Sequence, residues 1–373
     1  MDLLEIRKEI DRIDTQMVEL FEERMKLCEN VAKSKIESGK KVFDPEREKQ
    51  KIDSVSAMAH NEQNAVGVSE LFGQIMTISR KLQYRLMAEH GIVEENQFEE
   101  ISKINKNAKV VFQGIEGSYS YAAMKEYFGE KVDYINVKTF RNAMEVIDEG
   151  KAEYAVIPIE NSTAGSITEV YDLLMQFDNH IVGEQILEVK HCLLGVQGAT
   201  KDDIREVYSH PQSFAQCDGY LRQYNWKKRV MENNAVAAKN ISDEKDISKA
   251  AIAGRYAGEL YGLNVLEEGI NDNKSNCTRF IIVAKDKKYT KGAKKVSIAF
   301  EIPHESGSLY RALSHFIYNG INLCHIESRP NNEKNWEYRF FIDFEGNLKE
   351  EAVKNALSSL QQETNNLVIL GNY

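Results

Sequence analysis

Apolar residues recur at helical spacing from Leu3 to about Ser38, with no proline or glycine between them. Leu3, Ile6, Ile10, Ile13, Met17, Leu20, Leu27 and Val31 follow a heptad-like seam. A helix of that length spans roughly 54 Å at about 1.5 Å per residue, longer than a small domain is wide. Two such helices sharing a core would bury the seam, so the pattern predicts a homodimer or higher homo-oligomer. Arg24 falls on the seam where a leucine is due, and a buried arginine is costly unless an anion meets it. A glutamate such as Glu23 or Glu70 is one such anion, and a bound ligand is another. Arg7 and Lys35 flank the seam four heptads apart and project in similar directions. In Asp44-Pro45-Glu46-Arg47-Glu48 the aspartate caps, the proline opens and the acids fill the first turn of a second helix. A third helix, from about Ser69 to Ala88, sets Ser79 and Gln83 one turn apart on one face.

The helical pattern thus predicts an all-α domain over residues 1–90, and the polar, aperiodic stretch 91–107 reads as a linker. From 108 to 285 strand and helix patterns alternate, which predicts an α/β domain with a largely parallel sheet. A long apolar strand near Ile181–Val189 opens a second lobe, and the chain returns through Lys274–Lys285, so a ligand cleft between two lobes is expected. Loops beyond strand ends are where such sheets present side chains, here Glu160 to Ser166, Ser209 to Gln216, and Asn276 to Phe280. If the last of these is already extended, Thr278 and Phe280 share a face and Arg279 points away. Residues 294–373 read βαββαβ, a ferredoxin-like α+β unit.

Composition narrows the function without naming it. Charged content of 28% and apolar content of 42% suit a soluble globular chain, and a net charge of −10 argues against a nucleic-acid binder. The five cysteines never form a CxxC pair, so neither a zinc spacing nor a disulfide framework is visible and a reducing cytoplasm fits. No signal peptide and no run of membrane-spanning length is expected. Gly114 and Gly117 follow a strand but give neither GxGxxG nor a P-loop.

Residues 1–90 resemble the all-helical chorismate mutases, because Arg7, Arg24, Lys35, Asp44, Arg47, Glu48, Ser79 and Gln83 each stand where that family keeps an active-site residue. The resemblance implies that Arg7 of a partner chain, Arg24 and Arg47 grip the substrate carboxylates, with Asp44 and Ser79 beside them. It also implies that Lys35 and Gln83 donate to the ether oxygen while Glu48 holds the ring hydroxyl. The residue types suit a pericyclic rearrangement, which needs a clamp and charge stabilisation rather than a nucleophile.

Residues 108–285 resemble prephenate dehydratase through Gly117-Ser118-Tyr119-Ser120, Pro158-Ile159-Glu160-Asn161-Ser162, Ser209-His210-Pro211-Gln212 and Thr278-Arg279-Phe280. The resemblance implies that Thr278 contacts the departing hydroxyl, that Asn161, Ser209 and Gln216 position substrate, and that Glu160 supports them. By residue type His210 is the obvious general acid, although Pro211 beside it also fits a structural corner. Residues 294–373 resemble the ACT regulatory domain of prephenate dehydratases at Gly307-Ser308-Leu309 and Glu327-Ser328-Arg329-Pro330. These stretches imply phenylalanine binding, with Ser308 standing where the family usually has alanine. The whole implies a bifunctional chorismate mutase–prephenate dehydratase restrained by phenylalanine, needing no metal, nucleotide or flavin. Two rivals stand beside it: arogenate dehydration, and a non-catalytic amino-acid sensor.

Overall fold

The computed structural model describes residues 2–91, 97–331 and 337–373. Residues 92–96, part of the stretch read as a linker, lie outside them. The chain divides into two compact units, residues 1–96 with 299–368 and residues 97–298 with 369–373.

The first unit begins with three helices, α1 (Leu3–Ser38), α2 (Pro45–Ser56) and α3 (Glu62–Glu89). Asp2 and Glu5 form a reciprocal capping box at the start of α1, and Gly39 ends it at φ 65. Asp44 caps α2 by accepting from the Arg47 N–H at 3.0 Å. α3 starts about two turns earlier than its apolar pattern, because Asn61 accepts from the Asn64 N–H at 2.7 Å. Both α1 and α2 pack on α3, around Val42, Tyr84 and Met87. The α1 seam has no cover in this protomer: its eight apolar residues are between 41% and 66% exposed.

The second unit holds two lobes. The first carries β1 (Glu99–Ile101), β2 (Val110–Gln113), α4 (Tyr119–Phe128), β3 (Tyr134–Val137), α5 (Phe140–Asp148), β4 (Tyr154–Asn161), β5 (Gly165–Ser166), α6 (Thr168–Gln176) and β6 (His180–Glu188). The second carries β7 (His191–Gly195), β8 (Glu206–Ser209), α7 (Pro211–Gln216), α8 (Asp218–Leu221), β9 (Lys227–Val230), α9 (Asn234–Glu244), β10 (Lys249–Gly254), α10 (Arg255–Tyr261) and β11 (Asn264–Glu268). The chain then returns to the first lobe as β12 (Cys277–Ala284) and β13 (Lys288–Thr290).

The sheets, in the orders β3-β2-β4-β12-β6 and β11-β7-β10-β8-β9, are mixed rather than largely parallel. The βα-connected strands β2, β3 and β4 pair in parallel, whereas β12 pairs antiparallel with both β4 and β6. Crossover helices α4 and α5 join the parallel strands, whereas β12 enters from the other lobe with no such helix leading into it and pairs antiparallel. The linker expectation also needs correction at its end, since Glu99–Ile101 pair in parallel with Lys288–Thr290. Three residues are too few to show a period, so that strand left no mark in the sequence.

The C-terminal fold is β14 (Lys295–Glu301), α11 (Ser308–Tyr318), β15 (Leu323–Pro330), β16 (Tyr338–Glu345), α12 (Glu351–Glu363) and β17 (Asn365–Asn372), with strand order β15-β16-β14-β17. It does not stand apart from the N-terminal helices, because α12 packs on α3 within the first unit. Among the described residues no helix is long and apolar enough to cross a membrane.

Candidate functional sites

The first candidate site lies where α1 and α2 meet α3. Arg24 Nη1 donates to Ser79 Oγ at 2.5 Å and lies 3.7 Å from Cys28 Sγ. No carboxylate of the described residues pairs with it, so neither Glu23 nor Glu70 supplies the expected anion. Gln83 lies one turn past Ser79, bonds the Ser79 carbonyl at 3.2 Å, and keeps a buried amide oxygen that has no partner among the described residues. Lys35 Nζ reaches the Val42 carbonyl at 2.7 Å. Burial lowers the Lys35 pKa, opposed by the nearby carboxylates of Asp44 and Glu48. Arg24, Ser79 and Gln83 thus form one group, and Lys35, Asp44 and Glu48 another. Arg47 is exposed on the first turn of α2, and Arg7 is exposed near the start of α1.

The second candidate site lies in the two-lobed unit. The register pairs Thr278 with Asn161 and Arg279 with Glu160. Side chains alternate across a sheet, so Thr278 and Asn161 share one face while Glu160 and Arg279 share the other. Arg279 Nε lies 3.7 Å from Glu160 and Nη1 lies 3.9 Å from Glu184, so Glu160 braces the sheet rather than standing beside Thr278.

The backbone fixes the orientation of the Asn161 amide. Its Oδ1 accepts from the N–H groups of Thr163 at 3.1 Å and Ala164 at 3.0 Å, which can only donate. The amide nitrogen must then face Thr278 Oγ1 at 2.9 Å, Asn276 Oδ1 at 2.8 Å and the Cys277 carbonyl at 3.1 Å. Thr163 donates its hydroxyl to Asn161 Oδ1 at 2.7 Å and accepts from Gln216 Nε2 at 2.8 Å. Gln216 Oε1 accepts from His191 Nε2 at 2.9 Å, which leaves His191 Nδ1 to accept the Tyr119 hydroxyl at 2.9 Å. Donors therefore point one way along Tyr119, His191, Gln216, Thr163, Asn161 and Thr278. Burial holds His191 below the ordinary imidazole range and Tyr119 well above the ordinary phenol range, so both stay neutral, as this order requires. Thr278 accepts at the end, and no acceptor among the described residues takes its own hydrogen.

Ser209 is elsewhere. It is fully buried, 2.7 Å from the Ile252 carbonyl and 3.1 Å from Asn234 Oδ1, so it builds the loop rather than facing a ligand. His210 is the corner that Pro211 suggested, since its Nδ1 accepts the Gln212 N–H at 3.2 Å as the α7 cap. The glycine loop is needed for close approach: Gly117 sits at φ +83, and a Cβ there would meet Ala257 Cα of α10 at 3.2 Å. Of the chain ending at Thr278, sequence reading missed Thr163, His191 and Tyr119 as partners. Thr163 lay within the Glu160 to Ser166 loop and Tyr119 within a quoted motif, whereas His191, which opens the buried strand β7, carried no signal.

In the C-terminal fold Gly307, Ser308 and Leu309 line a cavity of about 180 Å³ with Glu337, Tyr338 and Phe340. Gly307 starts α11 at φ 78, a left-handed position that suits glycine. Ser308 donates to the Glu305 carbonyl at 2.9 Å and accepts from Arg311 at 3.2 Å, so its hydroxyl closes the loop. Glu327, Ser328 and Arg329 lie outside this cavity on β15, opposite Phe341, Phe340 and Arg339 of β16. Among the described residues no group of three or more His, Cys, Asp or Glu side chains could hold a metal.

The family model for chorismate mutase type II matches residues 6–84, and that for prephenate dehydratase matches residues 110–288. A bifunctional chorismate mutase/prephenate dehydratase of Aquifex aeolicus is 31% identical over all of this chain and 98% of its own. An Arabidopsis thaliana arogenate dehydratase/prephenate dehydratase is 36% identical over 75% of this chain and 76% of its own. Among solved structures, a prephenate dehydratase of Arthrobacter aurescens in complex with L-Phe is 28% identical, with a TM-score of 0.66 over 71% of this chain and 89% of its own. The full-length match decides the matter: the chain belongs to the bifunctional chorismate mutase/prephenate dehydratase family.

Proposed function

We propose that this chain rearranges chorismate to prephenate with its N-terminal helices and converts prephenate to phenylpyruvate in its two-lobed unit. The observation that carries the second step is the one-way hydrogen-bond chain ending at Thr278. Because Thr278 Oγ1 accepts from Asn161, its own hydrogen is left for the hydroxyl that departs from the prephenate ring. The carboxylate leaves as CO2, its bonding pair aromatises the ring, and the hydroxyl is released as hydroxide that solvent protonates. Gln216 and Asn161 hold the donor in line, Ser209 shapes the loop from below, and Glu160 acts only through Arg279.

In the mutase step Arg24 and Arg47 grip the two carboxylates of chorismate. Lys35 and Gln83 donate to the ether oxygen, Glu48 accepts the ring hydroxyl, and Ser79 and Asp44 hold Arg24 and α2 in place. Arg7 and Arg24 are 17 residues apart on one continuous helix, about 26 Å at the usual rise, so Arg7 serves the site of a second copy. The exposed seam supports that dimer, since each apolar side chain it buries contributes on the order of 1 kcal/mol or more. The C-terminal fold acts as an ACT domain that binds phenylalanine in the cavity at Gly307, Ser308 and Leu309, with Glu327, Ser328 and Arg329 outside that cavity, and restrains the enzyme. The L-Phe complex of the Arthrobacter relative supports that part. Cytoplasmic residence belongs to the same reading.

Product analysis from chorismate, with and without phenylalanine, tests the whole. Phenylpyruvate should accumulate and phenylalanine should suppress it. Binding of phenylalanine with no turnover of either substrate would make the protein a sensor instead. The Arabidopsis relative keeps arogenate as the second substrate to try, and a strong preference for it over prephenate would overturn the choice.

A further inference from the structure

The residue after Ser79 joins two parts of the first unit that the chemistry alone would leave apart. Arg80 is 3% exposed. It donates through Nη1 to Glu48, through Nε to Glu363 Oε1 at 2.7 Å, and through Nη2 to Thr77 Oγ1 at 3.1 Å. Glu363 ends α12 of the C-terminal fold, and its side chain is 5% exposed. Fully buried His315 of α11 brings Nε2 to 3.2 Å from Glu363 Oε2, at ion-pair distance but out of hydrogen-bond alignment. Burial pushes the Glu363 carboxyl up, but His315 and Arg80 together hold it below the ordinary range. The next residue, Lys81, donates to the Ser314 carbonyl at 2.9 Å and lies 4.0 Å from the Tyr318 ring centroid, so α3 is pinned to α11 as well.

A buried guanidinium shared by two carboxylates cannot move toward one without weakening its hold on the other, and its burial makes an unpaired charge costly. We propose that Arg80 is a positioning residue of the mutase site: it aims Glu48 at the substrate ring hydroxyl and is itself aimed by Glu363 of the C-terminal fold. A displacement of α12 is therefore passed to the mutase site through one side chain. This rests on the reading that Glu48 meets the ring hydroxyl.

The test is steady-state kinetics of both steps in the full-length protein. Arg80→Gln should lower mutase kcat/KM by about tenfold or more, with Arg80→Lys recovering part of the loss. Glu363→Gln should lower it about threefold to tenfold although it touches no substrate, and turnover of supplied prephenate should stay within about twofold in each variant. The double variant should be no worse than Arg80→Gln alone, because both act through one contact. Mutase kinetics within about twofold of the parent for Arg80→Gln, or losses that multiply in the double variant, would overturn the proposal. If Arg80→Gln does not fold, Glu363→Gln decides: unchanged mutase kinetics there sinks the idea. Arg24→Ala separates the two failures. Should it retain mutase activity, the site reading itself falls; should it lose activity while Arg80→Gln does not, only the role of Arg80 falls.

Discussion

The two candidate sites of this chain are built from opposite materials. The candidate mutase site, as proposed, sets Arg24, Lys35 and Arg80 on helices around Ser79, Gln83 and Glu48, and it works with full charges. The candidate dehydratase site sets Thr278, Asn161, Thr163, Gln216, His191 and Tyr119 at strand ends and loops, and every member of its chain is neutral. The difference follows the chemistry. A pericyclic step moves no proton, so the protein need only clamp a dianion and stabilise charge growing on an ether oxygen. Expelling a ring hydroxyl needs one hydrogen at one place, and that depends on which way each hydrogen bond points.

Reciprocal knockouts are the sharpest way to break that contrast. Arg24→Ala should lower mutase kcat/KM by roughly 10³-fold, the scale of losing a central charge-stabilising donor, and leave turnover of supplied prephenate intact. Thr278→Val keeps the shape, removes the donor, and should lower dehydratase kcat/KM by roughly 10² to 10³-fold with mutase turnover intact. Either variant losing both activities while still folded would mean that the two sites are not separate machines.

The same contrast explains what was legible beforehand. Helices write their faces into the sequence, so the α1 seam, the Asp44 cap and the Ser79–Gln83 spacing could be read directly. The strand register could not: nothing local says that Thr278 opposes Asn161 or that Glu160 opposes Arg279, 119 residues later. Glu160 therefore read as a partner of Thr278, and Ser209 as a ligand contact, until the pairing put one on the other face and the other beneath its loop. His191 was invisible for the same reason, because its partner Gln216 reaches it from another element. Arg80 was hidden differently, since its second carboxylate is 283 residues away.

A pH profile sharpens the comparison without altering a residue. The role proposed for Lys35 requires the cation, and burial places its pKa below the ordinary 10.5. The charged form is lost as pH rises through that lowered value, so mutase kcat/KM should fall on the alkaline side earlier than a free lysine would titrate. Past that pKa the fall approaches about tenfold per pH unit. The dehydratase chain has no such cation, and His191, already below its ordinary 6.5, is neutral there. Its rate should hold on the alkaline side and decline only in acid, as His191 gains a proton and can no longer accept from Tyr119. Both rates measured on one preparation check this, and parallel alkaline declines would remove the distinction.

The smallest expected effect probes the far end of the neutral chain. Tyr119→Phe keeps the ring, whose centroid lies 5.7 Å from that of His191 in an edge contact, and removes only the hydroxyl that donates to Nδ1. With that donor gone, a buried imidazole nitrogen lacks a partner, and the other tautomer would point its hydrogen the wrong way along the chain. One neutral hydrogen bond is worth about 1 kcal/mol, which converts to roughly threefold to tenfold in rate. The loss should appear in dehydratase kcat with KM little changed, because Tyr119 orders the donor and does not bind the substrate. A rise in KM at constant kcat would put Tyr119 on the substrate instead. No change would mean that Gln216, which both accepts from His191 and donates to Thr163, sets the direction unaided.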